Sequence, residues 1–119
     1  MSDGDEIEIE LQQVIEALSK NEDEEIRLRI ARSPLVTAKQ LNKLGKDKHE
    51  AVRVAAITNK NLPIDYFKAL APGKGDKMKE IYAKSPLTPT EAIITLIKDR
   101  NQDIRIAAFH SPALTPDLL

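Results

Sequence analysis

Cysteine and tryptophan are absent from this chain of 119 residues, and aromatic residues make up only 3% of it. Without cysteine the protein has no disulfide, no thiolate nucleophile and no sulfur ligand for zinc or an iron–sulfur cluster. With so few aromatic rings, the core must consist mainly of Leu, Ile, Val and Ala side chains. Such a core suits packed helices better than a β-sandwich.

The chain also has no long apolar run and no leader-like N-terminus. No apolar stretch approaches the ~18 residues that a membrane-spanning helix requires. The opening segment, MSDGDEIEIE, is acidic, whereas secretory and transit peptides begin with basic residues. We therefore expect no membrane association. Because a chain without cysteine is compatible with a reducing compartment, we expect a cytoplasmic protein.

The net charge of −1 conceals two segments of opposite sign. Residues 1–25 contain ten acidic side chains and a single basic one, Lys20, which gives this segment a charge of −9. The other 94 residues contain nine acidic and 17 basic side chains, a charge of +8. This asymmetry indicates either a charged partner or an acidic end that neutralises the basic remainder of the chain.

A sequence repeat with a period of 26 residues runs through the chain. Its first segment occurs as IRLRIARS from Ile26, VRVAAITN from Val52, MKEIYAKS from Met78 and IRIAAFHS from Ile104. The second column of this segment is basic, and the last is small and polar, with Ser33, Asn59, Ser85 and Ser111. The second segment has two apolar columns, formed by Leu41, Phe67 and Ile93 and by Leu44, Leu70 and Leu96. The aromatic residues expected in the core, in or beside apolar columns, are Tyr66, Phe67, Tyr82 and Phe109.

The repeat predicts an all-α fold, because helix-start signals bound each segment and strand alternation is absent. Each repeat contains two helices that are too short to be stable alone and must bury their apolar faces by stacking. The first type of helix is expected near 22–32, 48–58, 74–84 and 100–110, and the second type near 6–20, 38–46, 63–71 and 89–98. Residues 1–119 form one repeat domain, with a half-repeat cap at 1–20, full repeats at 21–46, 47–72 and 73–98, and an incomplete repeat at 99–119.

Capping-box pairs stand ahead of four of the eight predicted helices. In this motif a short polar side chain accepts a hydrogen bond from the backbone three residues later, where a Glu or Gln side chain bonds back. The pairs are Asn21 with Glu24, Asp47 with Glu50, Asp99 with Gln102, and Thr37 with Gln40. Gly73 stands at the equivalent position of another repeat and predicts a weaker helix start there.

The repeat contains, in order, an Asp, a Val-Arg pair, small residues, a Ser-Pro or Asn turn and two Leu columns. This order resembles the leucine-rich repeat variant family and, more loosely, short HEAT-like repeats. Residues 47–70 fit best, and the similarity covers about residues 21–119. The resemblance implies a right-handed α-solenoid, here of about four 26-residue repeats, whose first-type helices are α or partly 3₁₀. Some family members carry an iron–sulfur cluster on an N-terminal Cys-rich segment. This chain has no cysteine, so that cofactor is not expected.

Two sets of basic residues are the most regular candidates for a binding site. The ladder of the first-type helices comprises Arg27, Arg53, Lys79 and Arg105. It either contacts a polyanion or bonds a carbonyl or acid in the neighbouring turn, and the resemblance to HEAT-like repeats implies the second. The turns between paired helices carry Lys46, Lys48, Lys74, Lys98 and Arg100. Because stacked helices lie about 8–10 Å apart, these would form one basic edge that either binds phosphates or only stabilises helix C-termini.

Other patterns give little support to catalysis, metal binding or a phosphate loop. The loop 72–76 is rich in glycine but lacks the GxxxxGK[ST] spacing. His49 and His110 lie far apart, without companion residues at metal-ligand spacing. No nucleophile stands beside a base, and tryptophan is missing, so an enzyme such as a HEAT-like DNA glycosylase is disfavoured. We expect no enzymatic activity, no metal and no cofactor.

We therefore expect a non-enzymatic binding or scaffold module that engages a protein partner through an extended face. A basic solenoid that binds nucleic acid is the alternative, although aromatic stacking platforms are nearly absent, and a fragment of a longer repeat protein is another. Glutamates on the half-repeat are expected to give the N-terminal end a polar outer face. At the other end Phe109, Leu114, Leu118 and Leu119 have no following helix. We expect this end either to be frayed and mobile or to be covered by another chain or a further segment, as part of a longer repeat array or, alternatively, by self-association.

Overall fold

The computed structural model describes residues 3–114 and is all-α over that range, with eight helices and no strand. The helices are α1 (Asp3–Ser19), α2 (Glu24–Ala31), α3 (Ala38–Leu44), α4 (Glu50–Ile57), α5 (Ile64–Leu70), α6 (Asp76–Lys84), α7 (Thr90–Leu96) and α8 (Gln102–Phe109). The all-α prediction is thus confirmed. None of the described helices is long and apolar enough to cross a membrane.

Helix starts recur with the period of the sequence repeat. The first-type helices α2, α4, α6 and α8 begin 26 residues apart, and so do the second-type helices α3, α5 and α7. Every predicted helix is present, with both ends within three residues of the expected positions. The first-type helices, for which the family resemblance allowed 3₁₀ geometry, are α-helices.

The starts of the first-type helices correct the predicted capping boxes. Asn21, Asp47 and Asp99 each accept a hydrogen bond from the backbone N–H two residues later, at 2.8, 2.9 and 2.9 Å, and none of them caps a helix. Two residues further on, Asp23 and Asn101 cap α2 and α8 through a second bond of the same kind. Short polar side chains favour such local turns over helix, so two successive turns delay the helix start.

The start of α3 agrees with the sequence, whereas the cap of α6 lies two residues after the predicted position. At α3 the Gln40 N–H donates to Thr37 Oγ1 at 3.2 Å, and the Thr37 N–H donates to Gln40 Oε1 at 2.9 Å, which is the predicted capping box. Helix α6 follows Gly75, whose φ of 107° suits glycine, and no side chain caps it. The capping position is therefore Gly75 and not Gly73, and because α4 and α7 also begin without a side-chain cap, the weaker start of α6 stays a prediction.

Each first-type helix is followed by the same polar turn. The side-chain oxygens that form it accept from the backbone N–H two residues later, at 2.9–3.1 Å, in Ser33, Asn59, Ser85 and Ser111. Asn59 also donates from Nδ2 to the carbonyls of Ala31 and Ser33, at 2.8 and 2.9 Å. An amide at this position thus joins its own turn to the preceding one.

Packing divides the chain into two compact units, Met1–Pro63 and Ile64–Leu119. In the first unit, α2 packs on α1 and α4, and α3 packs on α4. The core of this unit consists of Ile15, Ala31, Val36, Leu41, Leu44, Val52, Ala55 and Ala56. In the second unit, α8 packs on α6 and α7. Its buried residues include Phe67, Leu70, Met78, Tyr82, Ala83, Ile93, Leu96, Ile104 and Ala108, so both predicted apolar columns are buried.

Two aromatic residues expected in the core are exposed. Tyr66 is 37% exposed, because the adjacent Phe67 takes the inward position and successive residues point about 100° apart around a helix. Phe109 is 57% exposed, although its column is buried in the other repeats, at Ala31, Ile57 and Ala83. The described residues therefore leave the Phe109 ring more exposed than they leave Ala31, Ile57 and Ala83. The neighbouring predictions for Leu118 and Leu119 lie outside the described residues.

Burial of the Leu70 column is open to a direct test in the second unit. Leu70→Ala removes most of a side chain that is only 5% exposed, so we expect a loss of about 2–5 kcal/mol in the free energy of unfolding, measured with urea. Leu87→Ala is the matched control, because Leu87 is 40% exposed, and it should change stability by at most about 0.5 kcal/mol. Equal effects of the two substitutions would show that the column was misassigned.

Candidate functional site

The first cation of the ladder, Arg27, lies buried between two turns, with 7% exposure. Its Nη1 donates to the carbonyls of Asn21 and Glu22 at 2.8 and 2.9 Å. Its Nε and Nη2 donate to the Asp47 carboxylate at 2.7 and 3.2 Å, and Nη2 lies 3.1 Å from His49 Nδ1. A guanidinium has five N–H donors, and each has an acceptor here. Arg27 therefore joins the turn before α2 to the turn before α4.

The other cations of the ladder also bond turns of the chain. Arg53 Nη1 donates to the Asp47 carbonyl at 2.8 Å. Arg105 Nη1 donates to two carbonyls of the turn before α8, at 2.9 and 3.0 Å. Lys79 Nζ donates to the Asp99 carboxylate at 3.0 Å, in the turn before the next first-type helix. Each cation thus bonds a carbonyl before its own helix, an acid before the next one, or both.

His49 extends the Arg27 network rather than standing alone. Arginine N–H groups only donate, so a hydrogen bond between Arg27 and His49 requires the tautomer in which Nδ1 accepts and Nε2 carries the proton. That nitrogen is 3.2 Å from the Glu24 carboxylate. The other histidine, His110, has its ring edge-on to Phe109 at a centroid distance of 5.3 Å. Within residues 3–114, no three His, Asp or Glu side chains are grouped so that they could hold a metal ion.

The ladder holds its carboxylates in the charged form. Burial raises the pKa of Asp47, but the hydrogen bonds from Arg27 and from the His49 backbone N–H outweigh it, so the pKa lies below its ordinary value. The pKa of Asp99 is lowered by the backbone N–H of Asn101 and by Lys79. Both carboxylates are therefore ionised at neutral pH, and their ion pairs persist into the acid range.

All five cations of the predicted basic edge are exposed and lie in turns. The first unit contains Lys46 and Lys48, and the second contains Lys74, Lys98 and Arg100. Within residues 3–114, no side-chain hydrogen bond or ion pair is made by Lys46, Lys48, Lys98 or Arg100. In the second unit Asn101 Nδ2 donates to the Asp76 carboxylate at 2.9 Å, which joins the turn of Lys74 to that of Arg100. The cations of the ladder thus form hydrogen bonds within the chain, whereas those of the basic edge are exposed to solvent.

The exposed surface of α1 carries apolar residues beside its glutamates, whereas the sequence predicted a polar outer face. Ile7, Leu11 and Val14 are 64%, 39% and 53% exposed, and their spacing places them in one stripe along the helix. Of the apolar residues of α1, only Ile15 is buried. The prediction did not anticipate this because α2 and α3 cover one narrow face of α1, which leaves Ile7, Leu11 and Val14 in water.

The described residues of the first unit form cavities at several places. One of 730 Å³ lies between α1 and the start of α3, and one of 630 Å³ lies beside Arg27 and Asp47. A third, of 360 Å³, lies where α2 and α4 end, and Arg32 and Lys60 both line it. Sequence reasoning missed this third site because its cations stand outside the basic columns. One signal was present: Lys60 occupies the only position of its column that is not proline.

No family model, curated protein or solved structure matches this chain. The resemblance to leucine-rich repeat variant proteins and HEAT-like repeats therefore stays a prediction from the sequence. Any function has to follow from the side chains that the two units expose.

The lowered pKa of Asp47 predicts how its ion pair depends on pH. A carboxylate with a depressed folded-state pKa contributes stability above the ordinary value of about 3.9 and loses it as pH falls through the folded-state pKa. Asp47→Asn should therefore be less stable than the parent at pH 7, with a difference that shrinks in acid. Urea unfolding between pH 7 and pH 2 measures it. Asp65→Asn, at an exposed position without an ion pair, is the control. A difference independent of pH would contradict the assignment.

Proposed function

We propose that the chain is a non-enzymatic helical-repeat scaffold that binds a protein partner through helix α1. The partner surface that fits α1 is apolar in the middle and carries basic residues along its edge. The proposal includes the architecture that the family resemblance implies, a right-handed α-solenoid of about four 26-residue two-helix repeats. Three recurrences with that period support it: the helix starts, the ladder bonds and the polar turns.

The apolar stripe of α1, formed by Ile7, Leu11 and Val14, is the observation that carries the proposal. Single exposed apolar residues are ordinary on protein surfaces, whereas adjacent ones on one helix face are typical of an interaction site. Burial of such side chains contributes about 25 cal/mol per Å² of apolar surface removed from water. A partner helix laid along the stripe would gain this energy.

Charge favours a protein over a nucleic acid at this surface. Helix α1 contains six acidic residues and no basic one. Glu6, Glu8 and Glu10 flank the stripe, are exposed, and make no ion pair with any described residue. These carboxylates would repel a phosphate backbone and attract Lys or Arg side chains at the rim of a protein interface.

Nucleic-acid binding is the second candidate, and the unbonded cations of the basic edge favour it. Lys46, Lys48, Lys98 and Arg100 make no side-chain hydrogen bond or ion pair within residues 3–114, so their charged groups are accessible to phosphates. Only two aromatic side chains of the chain, Tyr66 and Phe109, are exposed, which gives single strands few rings on which to stack. Self-association through α8, where Phe109 is 57% exposed, is a further alternative that sedimentation equilibrium of the chain alone tests.

A charge placed in the stripe should weaken peptide binding to α1. The probe is a synthetic amphipathic helix with leucine on one face and lysine beside it, titrated calorimetrically. Leu11→Glu should weaken binding at least about tenfold, because the interface would bury a carboxylate without a partner. Ile94→Glu is the matched control, an equally exposed apolar site on α7, and should bind like the parent. Unchanged binding by Leu11→Glu, or equal binding of a peptide with glutamate in place of lysine, would refute the proposal.

For the second candidate, the expected result is no gel shift of labelled DNA or RNA at physiological salt. Phosphate contacts weaken steeply as salt rises, so a shift that disappears with salt would favour nucleic-acid binding. Removal of that shift by the double substitution Lys98→Gln and Arg100→Gln would locate the contact at the basic edge.

A further inference from the structure

We propose that the 360 Å³ cavity between the ends of α2 and α4 binds an acidic peptide segment, whose carboxylates pair with Arg32 and Lys60. Both cations line the cavity, and Pro34 and Ala55 form apolar parts of its wall. This surface is distinct from the stripe of α1, and the inference does not rest on the function proposed for that helix.

The turn that carries Lys60 departs from the other repeats at three successive positions. The equivalent turns read Ser-Pro-Leu at 33–35 and 85–87 and Ser-Pro-Ala at 111–113, whereas this turn reads Asn-Lys-Asn at 59–61. Because proline fixes the backbone there in the other repeats, the fold itself does not require a lysine. A break in the repeat that places a cation at a cavity indicates a role beyond folding.

The two asparagines of this turn fix the cavity wall. Asn59 Nδ2 donates to the carbonyls of Ala31 and Ser33, and Asn61 Nδ2 donates to the Pro34 carbonyl at 2.7 Å. The Asn61 N–H in turn donates to Asn59 Oδ1 at 2.9 Å. The wall is therefore ordered before any ligand arrives, which lowers the entropic cost of binding.

The cations of this cavity are available to a ligand. Arg32 and Lys60 are exposed and make no side-chain hydrogen bond or ion pair within residues 3–114. No acidic residue lines the cavity, in contrast to the two larger ones, which contain Glu or Asp side chains. A guanidinium pairs with a carboxylate through two parallel hydrogen bonds, so an oxyanion is the complementary ligand.

Size and lining favour a peptide over a bare anion. The volume lies at the lower end of the range of about 300–1,000 Å³ that organic ligands occupy. Pro34 and Ala55 suit an apolar side chain, which an inorganic anion would not supply. Asn61 Oδ1 faces no donor within the described chain, so it can accept a hydrogen bond from a peptide N–H.

The test is a titration with a capped peptide of alternating leucine and glutamate, followed by calorimetry and by amide chemical shifts. The double variant Arg32→Gln with Lys60→Gln should weaken binding about tenfold, since an exposed ion pair contributes up to about fivefold in affinity. Arg29→Gln with Lys39→Gln removes the same charges at exposed sites outside the cavity and should leave binding unchanged. Lys60→Pro restores the residue of the other repeats, so it should fold normally and lose up to about fivefold in affinity.

Four results would overturn the proposal: equal weakening by the control pair, equal binding of a peptide with glutamine in place of glutamate, unaltered binding by Lys60→Pro, or no saturable binding up to about 10 mM. Displacement by inorganic phosphate with the same dependence on Arg32 and Lys60 would assign a general anion site and overturn the peptide assignment. Leu11→Glu should bind this peptide normally, so failure here and failure at α1 are distinguishable.

Discussion

The buried guanidinium of Arg27 is the interaction on which the arrangement of the first unit depends. Burial of a charge costs several kcal/mol unless it is paired and its hydrogen bonds are made. The chain satisfies this demand with two carbonyls from the turn before α2, and with a carboxylate and an imidazole from the turn before α4. Those turns must therefore keep their geometry, which the local bonds of Asn21 and Asp47 impose. One side chain thus couples the turn chemistry to the packing of successive helices.

Periodicity made much of this fold predictable, and features outside the period were not. The helices, the buried apolar columns and the bases of the ladder all repeat every 26 residues, so each position is supported by its equivalents. The helix starts were misplaced because Asp47 and its equivalents satisfy either a cap or a local turn, and only the backbone path decides. The exposure of Leu11 depends on how much of α1 its neighbours cover. The cavity of Lys60 arises from residues brought together by the fold.

Residues of one chemical type serve two purposes here, and internal bonding separates them. The N–H groups of Arg27 and Lys79 donate hydrogen bonds within the chain, whereas those of Arg32 and Lys60 face solvent. Glutamates divide in the same way, since Glu16 bonds Lys20 and Gln40 while others on α1 have no partner in the described chain. The functional proposals rest on the second group. A repeat scaffold can vary such residues without loss of the bonds that hold its helices together.

A double-mutant cycle on Arg27 and Asp47 tests the central claim most directly. Arg27→Gln, Asp47→Asn and the double variant would be compared with the parent by urea unfolding at pH 7, beside a cycle on the exposed pair Glu80 and Lys84. Each single substitution at the ladder leaves a buried partner unsatisfied, so the double variant should be clearly more stable than the sum of the single losses predicts. The exposed pair should show little coupling. Additive losses at Arg27 and Asp47 would contradict the account.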